Sequence, residues 1–421
     1  MVVTRSWGLR LLIGYCALAL GESRPVGQVS PGTGPGFSLT AVPSPAAPGS
    51  AQPQLSVSSR GVLLSWIERS GATAALRFAE RTATGWTVAR TAASGTNWFV
   101  NWADVPSVIR LPSGTLVAHW LQMSGASTYA YDVRLSYSTD QGQTWAPSFS
   151  PHHDGTQTEH GFASLFPVGD GLGLVWLDGR AMRTDGHDEH GVDAGAMSVR
   201  YARFDRDWKQ VDDAPVDLRV CECCPTSAAT TSEGVIAAFR NRSDDEVRDI
   251  YTSRLEGGQW SEPVAVHADG WKIAACPVNG PALSASGRDV ALAWFTATEE
   301  AGRTFLAFSK DGGRAFGPPV RVDDKGSLGR VDVDLLPDGA ALAMWIEFAD
   351  QHAQVRVRRI TPAGVRSEPI TLAGIPSSRA SGYPRMARQG RDLVFAWTES
   401  GEAGALQVRT AAALLSSPGS R

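Results

Sequence analysis

A large aromatic residue recurs along almost the whole chain at a nearly constant spacing. The intervals between successive positions are 54, 56, 63, 55, 51 and 52 residues. In five of the seven cases a proline lies 13 or 14 residues upstream, so each of these units is fixed at two points. Such spacing indicates an internal repeat. The aromatic positions are Trp66, Trp120, Trp176, Phe239, Trp294, Trp345 and Trp397, and the prolines are Pro53, Pro106, Pro225, Pro281 and Pro384.

Each unit has the pattern of short antiparallel strands. Residues 106–120 form an apolar run, a turn with glycine and a second apolar run that ends at the aromatic residue. Most units add two more apolar runs, as at 305–308 and 320–322, and no helical periodicity extends over ten or more residues. A lone four-stranded sheet cannot cover both of its faces, so the units must stack around an axis. The sequence predicts an all-β propeller with seven four-stranded blades.

The N-terminal segment has the composition of a targeting sequence. Arg5 and Arg10 precede an apolar run at 11–20 that is too short to cross a bilayer, and small residues lie near the end of this run. We expect a signal peptide at residues 1–21, the alternative being a buried first strand. A Pro/Gly/Ser-rich linker at 22–52 would then precede the propeller at 53–421. Within the linker, residues 37–42 are expected to add the outermost strand of the last blade, whose edge would otherwise be bare.

Composition argues against several classes of partner. The net charge is only -4 and no basic segment stands out, so a nucleic-acid partner is not expected. No apolar stretch reaches the roughly 18 residues of a membrane span. We expect an exported monomer, periplasmic or secreted. A lipid anchor on Cys16 is the less favoured alternative, because the bulky Tyr15 directly precedes it.

Two turns share the motif Ser-x-Asp-x-Gly-x-x-aromatic at equivalent places of the second and fifth units. In such a turn the Asp carboxylate accepts backbone N–H groups, the glycine takes a left-handed conformation and the aromatic ring packs on the sheet. These are structural residues rather than catalytic ones. They are Ser138, Asp140, Gly142 and Trp145, and Ser309, Asp311, Gly313 and Phe316.

With these motifs, residues 53–410 resemble the Asp-box (BNR-repeat) sialidase superfamily. The resemblance implies a sialidase-like propeller that acts on or binds glycans, and six blades become the alternative to the seven repeats counted here. Activity follows less safely than fold, because the motif also occurs in proteins that cleave no sugar.

Polar residues directly before or beside the aligned prolines are predicted to converge at one mouth of the central channel, where a ligand site of a propeller is expected. Loops on the same face would add Arg180, Arg240, Arg242, Arg248 and Asp249. Each residue has an alternative role as a channel-lining or salt-bridged group. The converging set is Asp104, Glu159, His160, Cys223, Cys224, Asn279, Arg330, Tyr383 and Arg385.

The resemblance also implies what a hydrolytic site would need: an arginine cluster for the sugar carboxylate, a Tyr activated by a Glu, and an Asp as acid and base. Tyr383, Glu159 and Asp178 are the candidates here. One departure weighs against sialic acid turnover. The family's first complete blade opens with Arg-Ile-Pro, whereas this chain has Asp104 before Val105 and Pro106.

Four cysteines form a second unusual group. Cys221, Cys223, Cys224 and Cys276 remain after removal of the signal peptide. In an exported protein two disulfides are expected, one from the loop to Cys276 and one within the loop. The alternative is a copper or zinc site, to which the loop at 187–190 (His-Asp-Glu-His) offers further ligands.

The sequence therefore supports three functional hypotheses. The first is binding of a glycan or another small polar ligand at the channel mouth, with Asp104, His160, Asn279, Arg248, Arg330 and Arg385 as ligand-binding residues. The second is an active exo-glycosidase. The third is a metal-handling or redox envelope protein that uses the cysteines. Apart from copper or zinc in the third case, no cofactor is expected. His152 and His153 are interpreted as surface residues.

Overall fold

Seven antiparallel β-sheets are arranged radially around a central channel in the computed structural model. The structure describes residues 37–182, 195–401 and 404–416. The predicted all-β propeller with seven blades is confirmed, and the six-bladed alternative is wrong. The expected signal peptide and the loop at 187–190 lie outside the described residues.

The first four blades follow one another along the chain. The first blade has strands β2 (Ser50–Ser58), β3 (Gly61–Ser70), β4 (Thr73–Thr82), β5 (Gly85–Trp86) and β6 (Arg90–Gly95), and the second has β7 (Ser107–Arg110), β8 (Leu116–Met123) and β9 (Tyr131–Ser138). The third blade has strands β10 (His160–Val168), β11 (Gly171–Asp178), β12 (Met197–Phe204) and β13 (Gln210–Val220). The fourth blade has strands β14 (Ser227–Thr231), β15 (Gly234–Arg240), β16 (Ile250–Glu256), β17 (Gln259–Trp260) and β18 (Val264–Ala265).

The remaining three blades complete the ring. Their strands are β19 (Ala282–Ser286), β20 (Asp289–Thr296), β21 (Arg303–Ser309) and β22 (Val320–Arg321); β23 (Gly326–Leu335), β24 (Ala341–Ala349), β25 (His352–Ile360) and β26 (Ile370–Ile375); and β27 (Arg385–Gln389), β28 (Asp392–Ser400) and β29 (Leu406–Leu415) with β1 (Phe37–Val42). Two short 3-10 turns, Thr298–Glu300 and Arg379–Ser381, interrupt the connections. The described residues include no helix with the length and apolarity of a membrane span.

The second blade is the irregular one. Its sheet has three strands. At the fourth position the Ala146 N–H donates to the Tyr137 carbonyl of β9, and Phe149 exchanges two backbone hydrogen bonds with Leu135 of the same strand. The N–O distances are 2.8 and 2.9 Å. The long connection from β9 to β10 is therefore attached to β9 by scattered backbone hydrogen bonds rather than by a continuous strand.

The N-terminal strand β1 closes the ring. It pairs antiparallel with β29, from Phe37 opposite Leu415 to Val42 opposite Thr410. Phe37 and Leu39 are each 7% exposed and belong to the apolar cluster between the last two blades. This is the segment for which the sequence predicts such a role.

The recurring tryptophan rings pack against apolar residues and also donate a hydrogen bond from the indole N–H. In four blades the Trp Nε1–H donates to a carboxylate two residues along the same strand, so that its buried donor is satisfied. The acceptors are Glu68 at 2.8 Å from Trp66, Asp178 at 2.9 Å from Trp176, Glu347 at 2.8 Å from Trp345 and Glu399 at 3.3 Å from Trp397.

The two Ser-x-Asp turns attach neighbouring blades to one another. The Asp140 carboxylate accepts hydrogen bonds from the Thr144 hydroxyl and, at 2.9 Å, from the Thr144 backbone N–H. These two bonds lower the pKa of Asp140 to about 2. Gly142 has φ +78°, and a Cβ there would lie 2.4 Å from the Phe78 ring of the first blade. Trp145 meets the same ring edge-on at 6.0 Å. In the fifth blade a Cβ on Gly313 would lie 2.2 Å from Ile236 of the fourth.

The closing strand offers a direct test of ring closure. Leu39→Ala removes a buried side chain from β1, and we expect the free energy of unfolding to fall by about 2 kcal/mol or more, measured by urea denaturation. Thr40→Ala, which alters an exposed side chain of the same strand, serves as the control and should stay within about 0.5 kcal/mol of the parent. Equal effects of the two substitutions would contradict a packed, closing role for β1.

Candidate functional site at the channel mouth

The central channel is narrow and polar. It encloses a cavity of about 280 Å³ lined by the innermost strands of all seven blades. This arrangement follows from the repeat, because each blade presents its first strand to the axis. The charged side chains of the lining are Asp104, Asp332, Asp334, Arg385 and Arg388.

Two arginines and two aromatic rings form a stack, of which Tyr383 and Arg385 line this channel. The Arg330 guanidinium lies 4.6 Å from the centre of the Trp102 ring, and Trp102 stacks on Tyr383 at 6.1 Å with an angle of 16°. The Arg385 guanidinium lies 5.2 Å from the centre of the Tyr383 ring. We call these four residues the arginine–aromatic stack. Both cations thus face aromatic π systems, a favourable contact that leaves N–H groups for other partners.

Arg330 is held by its backbone and by two carbonyls. Its φ is 54°, an uncommon value for a residue with a side chain, and its N–H donates to Oδ1 of Asn279 at 2.8 Å. Nη1 donates to the carbonyl oxygens of Ser378 and Gly382, each at 3.2 Å. Asn279, predicted as a ligand-binding residue, therefore positions Arg330.

Neither arginine of the stack has a carboxylate within 4.0 Å in the described part of the chain. Asp332, whose charge interacts with that of Arg385, accepts the backbone N–H of Met386 at 2.8 Å. Burial raises the pKa of Asp332, and the charge of Arg385 opposes that rise. The Arg385 Nε is buried and has no hydrogen-bond acceptor among the described residues.

Asp104, Tyr131 and Glu159 form a buried group where the second and third blades meet. The Tyr131 hydroxyl donates to Oε1 of Glu159 at 2.5 Å and lies 3.2 Å from Oδ2 of Asp104. Oδ1 of Asp104 accepts the Phe162 N–H at 2.8 Å. Burial, with the charge of Glu159, raises the pKa of Asp104 to about 8. Asp104 is therefore mostly protonated at neutral pH and adds little negative charge to the channel.

The three predicted catalytic residues have separate partners. Tyr383 donates its hydroxyl to the carbonyl of Val278 at 2.8 Å, and burial raises its pKa. Glu159 contacts Tyr131, which the sequence reasoning missed because this tyrosine lies in a third strand, away from the proline register. Asp178 accepts from Trp176 and pairs with Arg180 at 2.7 Å. No tyrosine–glutamate contact involves Tyr383 within the described residues.

Two histidines lie together next to the group of Asp104, Tyr131 and Glu159. His160, a predicted ligand-binding residue, is fully buried and stacks on His152 at 3.8 Å. The interpretation of His152 as a surface residue is wrong: it is 6% exposed, because its ring fills the space between His160 and Trp176. His153 is exposed.

The cysteine loop lies beside the channel mouth, under a network of buried charges. The Sγ atoms of Cys221 and Cys224 are 3.1 Å apart, and Cys223 lies 4.0 Å from Cys221 and contacts Cys276. Arg248 Nη1 lies 3.3 Å from the Cys221 Sγ.

Burial alone would raise the pKa of the Cys221 thiol, yet the neighbouring thiols and Arg248 hold it well below its usual value. Arg248, predicted to bind ligand, is fully buried and also pairs with Glu222 at 2.9 Å and Glu246 at 2.8 Å. The positive charge of Arg248 is therefore already balanced by two carboxylates of the protein.

Comparison with known proteins shows the fold alone. No family model matches the chain, and no curated protein matches it. A protein of unknown function from Dyadobacter fermentans is similar in structure, with a TM-score of 0.50, 12% identity, and coverage of 91% of this chain and 98% of that one. A polysaccharide lyase, Uly1, gives a TM-score of 0.52 at 10% identity, over 87% and 90% of the two chains. Trypanosoma rangeli sialidase gives 0.48 at 11% identity, over 89% and 59%.

Asp104 should make stability depend on pH. Its folded pKa is above the ordinary value near 3.9, so its contribution is complete below about pH 4 and declines as pH rises toward about 8, by at most about 1.4 kcal/mol per pH unit. Asp104→Asn resembles the protonated form, and we expect it to flatten this decline in urea denaturation series from about pH 5 to about pH 8.

Asp170→Asn, at an exposed turn, is the matched control and should leave the decline as it is in the parent. A parent protein whose stability does not fall over this range, or an Asp104→Asn variant with an unchanged slope, would contradict the assignment.

Proposed function

We propose that this propeller binds a small anionic ligand, the acidic sugar of a glycan, at the arginine–aromatic stack. The observation that carries the proposal is the pair Arg330 and Arg385, neither of which has a carboxylate partner among the described residues; Arg385 lines the channel, and Arg330 joins it through the stack. An arginine fork binds a carboxylate in two-point geometry, which suits a uronic or sialic acid.

The surroundings of the two arginines fit a sugar. Trp102 is half-buried and stacks on Tyr383, and the cavity of about 280 Å³ that Tyr383 and Arg385 line suits one sugar unit rather than a long chain. Asp104, neutral at physiological pH, does not repel an acidic ligand. The polysaccharide lyase that shares the fold is, by its name, a glycan-acting protein, which is consistent with this class of ligand.

Binding is favoured over hydrolysis. A nucleophilic tyrosine needs a lowered pKa and an adjacent base, whereas burial raises the pKa of Tyr383 and its hydroxyl is engaged by the Val278 carbonyl. Tyr131 does contact a glutamate, yet it is fully buried and its pKa is also raised. The exo-glycosidase hypothesis with Tyr383, Glu159 and Asp178 therefore ranks second, and Asp104 at the position of the family's first arginine weakens it further.

Arg385→Ala tests the binding proposal. We expect isothermal titration calorimetry with sialic acid and glucuronate to show at least about a 10-fold weaker affinity for the variant, the usual loss when a hydrogen-bonded charge is removed. Arg391→Ala, an exposed arginine away from the channel lining, is the control and should bind like the parent.

Two results would contradict the proposal: no binding of any acidic sugar by the parent, or equal affinity of Arg385→Ala. Turnover of a fluorogenic sialoside that Tyr383→Phe abolishes would instead establish the hydrolase hypothesis.

As a third candidate, we propose that the cysteines form a redox-responsive pair of bridges, Cys221 to Cys224 and Cys223 to Cys276. The short Sγ separation of 3.1 Å in the first pair and the contact in the second support this pairing. The bridge to Cys276 joins two neighbouring blades, as the sequence analysis expects. Copper or zinc bound by Cys221, Cys223 and Cys224, whose sulfurs all lie within 4.8 Å of one another, is the competing role.

Thiol titration of protein made in an oxidising compartment decides between these roles. We expect no reactive thiol in the denatured protein without reductant and four with it, and peptide mapping should recover the two bridges. Cys276→Ser should expose one thiol, that of Cys223. Free thiols accompanied by bound copper or zinc would overturn the disulfide assignment and support the metal role.

We also propose export through a signal peptide at residues 1–21, with a periplasmic or secreted monomer as the mature form. The basic start, the short apolar run and the following Pro/Gly/Ser-rich segment support this proposal.

A further inference from the structure

Residues 276–279 lie between the cysteine loop and the arginine–aromatic stack and contact both. At one end of this segment Cys276 contacts Cys223 of the cysteine loop. At the other end Oδ1 of Asn279 accepts the Arg330 N–H at 2.8 Å. We call residues 276–279 the linking segment, because each of its ends meets a different group.

The middle of the linking segment supports the aromatic part of the stack. The Val278 carbonyl accepts the Tyr383 hydroxyl at 2.8 Å. Val278, Cys223 and Trp102 all pack against the apolar cluster to which Tyr383 belongs. A shift of the linking segment would therefore change both a hydrogen bond of Tyr383 and the packing around its ring.

The backbone on both sides of the contact between Asn279 and Arg330 has an uncommon conformation. Val278 has φ 49° and Arg330 has φ 54°, values in the left-handed region that residues with a side chain rarely adopt. This conformation is especially unfavourable for Val278, whose side chain is branched at Cβ. Strain of this kind persists only where the surroundings hold the backbone from several sides. We therefore expect the linking segment to relax when one of its supports is removed.

Further supports of the linking segment come from the fourth blade. Arg240 donates from Nε to the Asn279 carbonyl at 2.9 Å and from Nη1 to the Arg248 carbonyl. Arg248 in turn lies 3.3 Å from a sulfur of the cysteine loop. Just after the segment, a Cβ on Gly280 would lie 1.9 Å from the Pro225 carbonyl oxygen. The cysteine loop and the linking segment are therefore packed against one another and do not move independently.

Cys223 and Cys276 are the accessible pair of thiols. Each is partly exposed, whereas Cys221 and Cys224 are buried. Access decides which thiols exchange with small molecules in solution. The bridge forms by exchange with a low-molecular-weight disulfide: one S–S bond joins Cys223 to Cys276, and the two electrons and two protons of their thiols reduce the small disulfide to two thiols.

We propose that the bridge between Cys223 and Cys276 controls the affinity of the arginine–aromatic stack, so that the oxidised protein binds the acidic sugar more tightly than the reduced protein. This inference rests on the proposed function, both for the ligand and for the bridge. In the oxidised protein the covalent bond restrains the linking segment and keeps Arg330 and Tyr383 in place. Reduction removes this restraint, and Val278 then leaves the left-handed region in a fraction of the molecules. The fraction that is competent to bind falls, and the apparent affinity falls with it.

Titration calorimetry of the full chain with glucuronate, before and after reduction with dithiothreitol, tests this control. We expect the affinity to be at least about 5-fold weaker in the reduced protein, at the lower end of typical couplings between two sites. Cys276→Ser cannot form the bridge and should bind with the weaker affinity under both conditions. The matched control, Cys221→Ser with Cys224→Ser, leaves the bridge to Cys276 in place and should keep the difference.

Two further measurements separate a positioning role from a purely structural one. By linkage, saturating glucuronate should make the bridge harder to reduce by the same factor, measured by thiol labelling after equilibration in a dithiothreitol redox buffer. A bridge that only stabilised the fold would not respond to glucuronate in this way. Hydrogen–deuterium exchange of the Arg330 amide should be faster in the reduced protein, because this N–H depends on the Asn279 side chain. Exchange in β8, on another part of the ring, should stay unchanged.

Equal affinity of the oxidised and reduced proteins, or exchange of the Arg330 amide that does not respond to reduction, would overturn this inference and leave the proposed function standing. A redox difference that persists in Cys276→Ser would also overturn it, because the control would then lie outside this bridge. If the parent binds no acidic sugar in either state, the proposed function fails and this inference fails with it. Circular dichroism should show that Cys276→Ser is folded; if it is not, the two redox states of the parent decide alone.

Discussion

Closure of the ring is the constraint on which the other features depend. Each blade is a small sheet with two apolar faces, so each must be covered by a neighbour on both sides. The chain meets this requirement by pairing its first described strand, Phe37–Val42, with its last, Leu406–Leu415. Without that pairing the edge of the seventh sheet would be exposed to solvent and to other chains. The central channel, and every side chain that converges on it, exists because the circle is complete.

The same closure explains why the chemistry lies at blade junctions. Asp104 accepts a hydrogen bond from Phe162 across one junction, and Asn279 fixes Arg330 across another. Residues far apart in sequence meet there because equivalent positions of successive repeats face the axis. The arginine–aromatic stack is one result, and the histidine pair is another. Each draws its members from more than one blade or from a connection between blades.

The sequence predicted most of the architecture because the architecture is periodic. The same buried position recurs in each blade, where a large ring fills the gap to the next blade, so the sequence repeats a large aromatic residue there. Examples are Trp66, Trp176, Trp294 and Trp345. The position of the first strand was predictable on the same grounds in the five blades that carry the aligned proline. The hydrogen-bond partners of the site side chains were not predictable from the repeat. Tyr131 has no counterpart in the repeat, and the pairing of Tyr383 with the Val278 carbonyl depends on the depth of one loop. The interpretation of His152 as a surface residue was wrong because its burial comes from contacts with the His160 and Trp176 rings, which no local pattern in the sequence marks.

The pairing of β1 with β29 also sets an order on folding. A ribosome or an export channel releases the chain from its N-terminus, and β1 must wait without a partner until the strand at 406–415 emerges. The middle blades are able to assemble on one another earlier, since their strands are close in sequence and local contacts form fastest. The molecule therefore becomes a stable ring only after residues 406–415 have emerged, and until then the apolar strand β1 needs protection from mispairing.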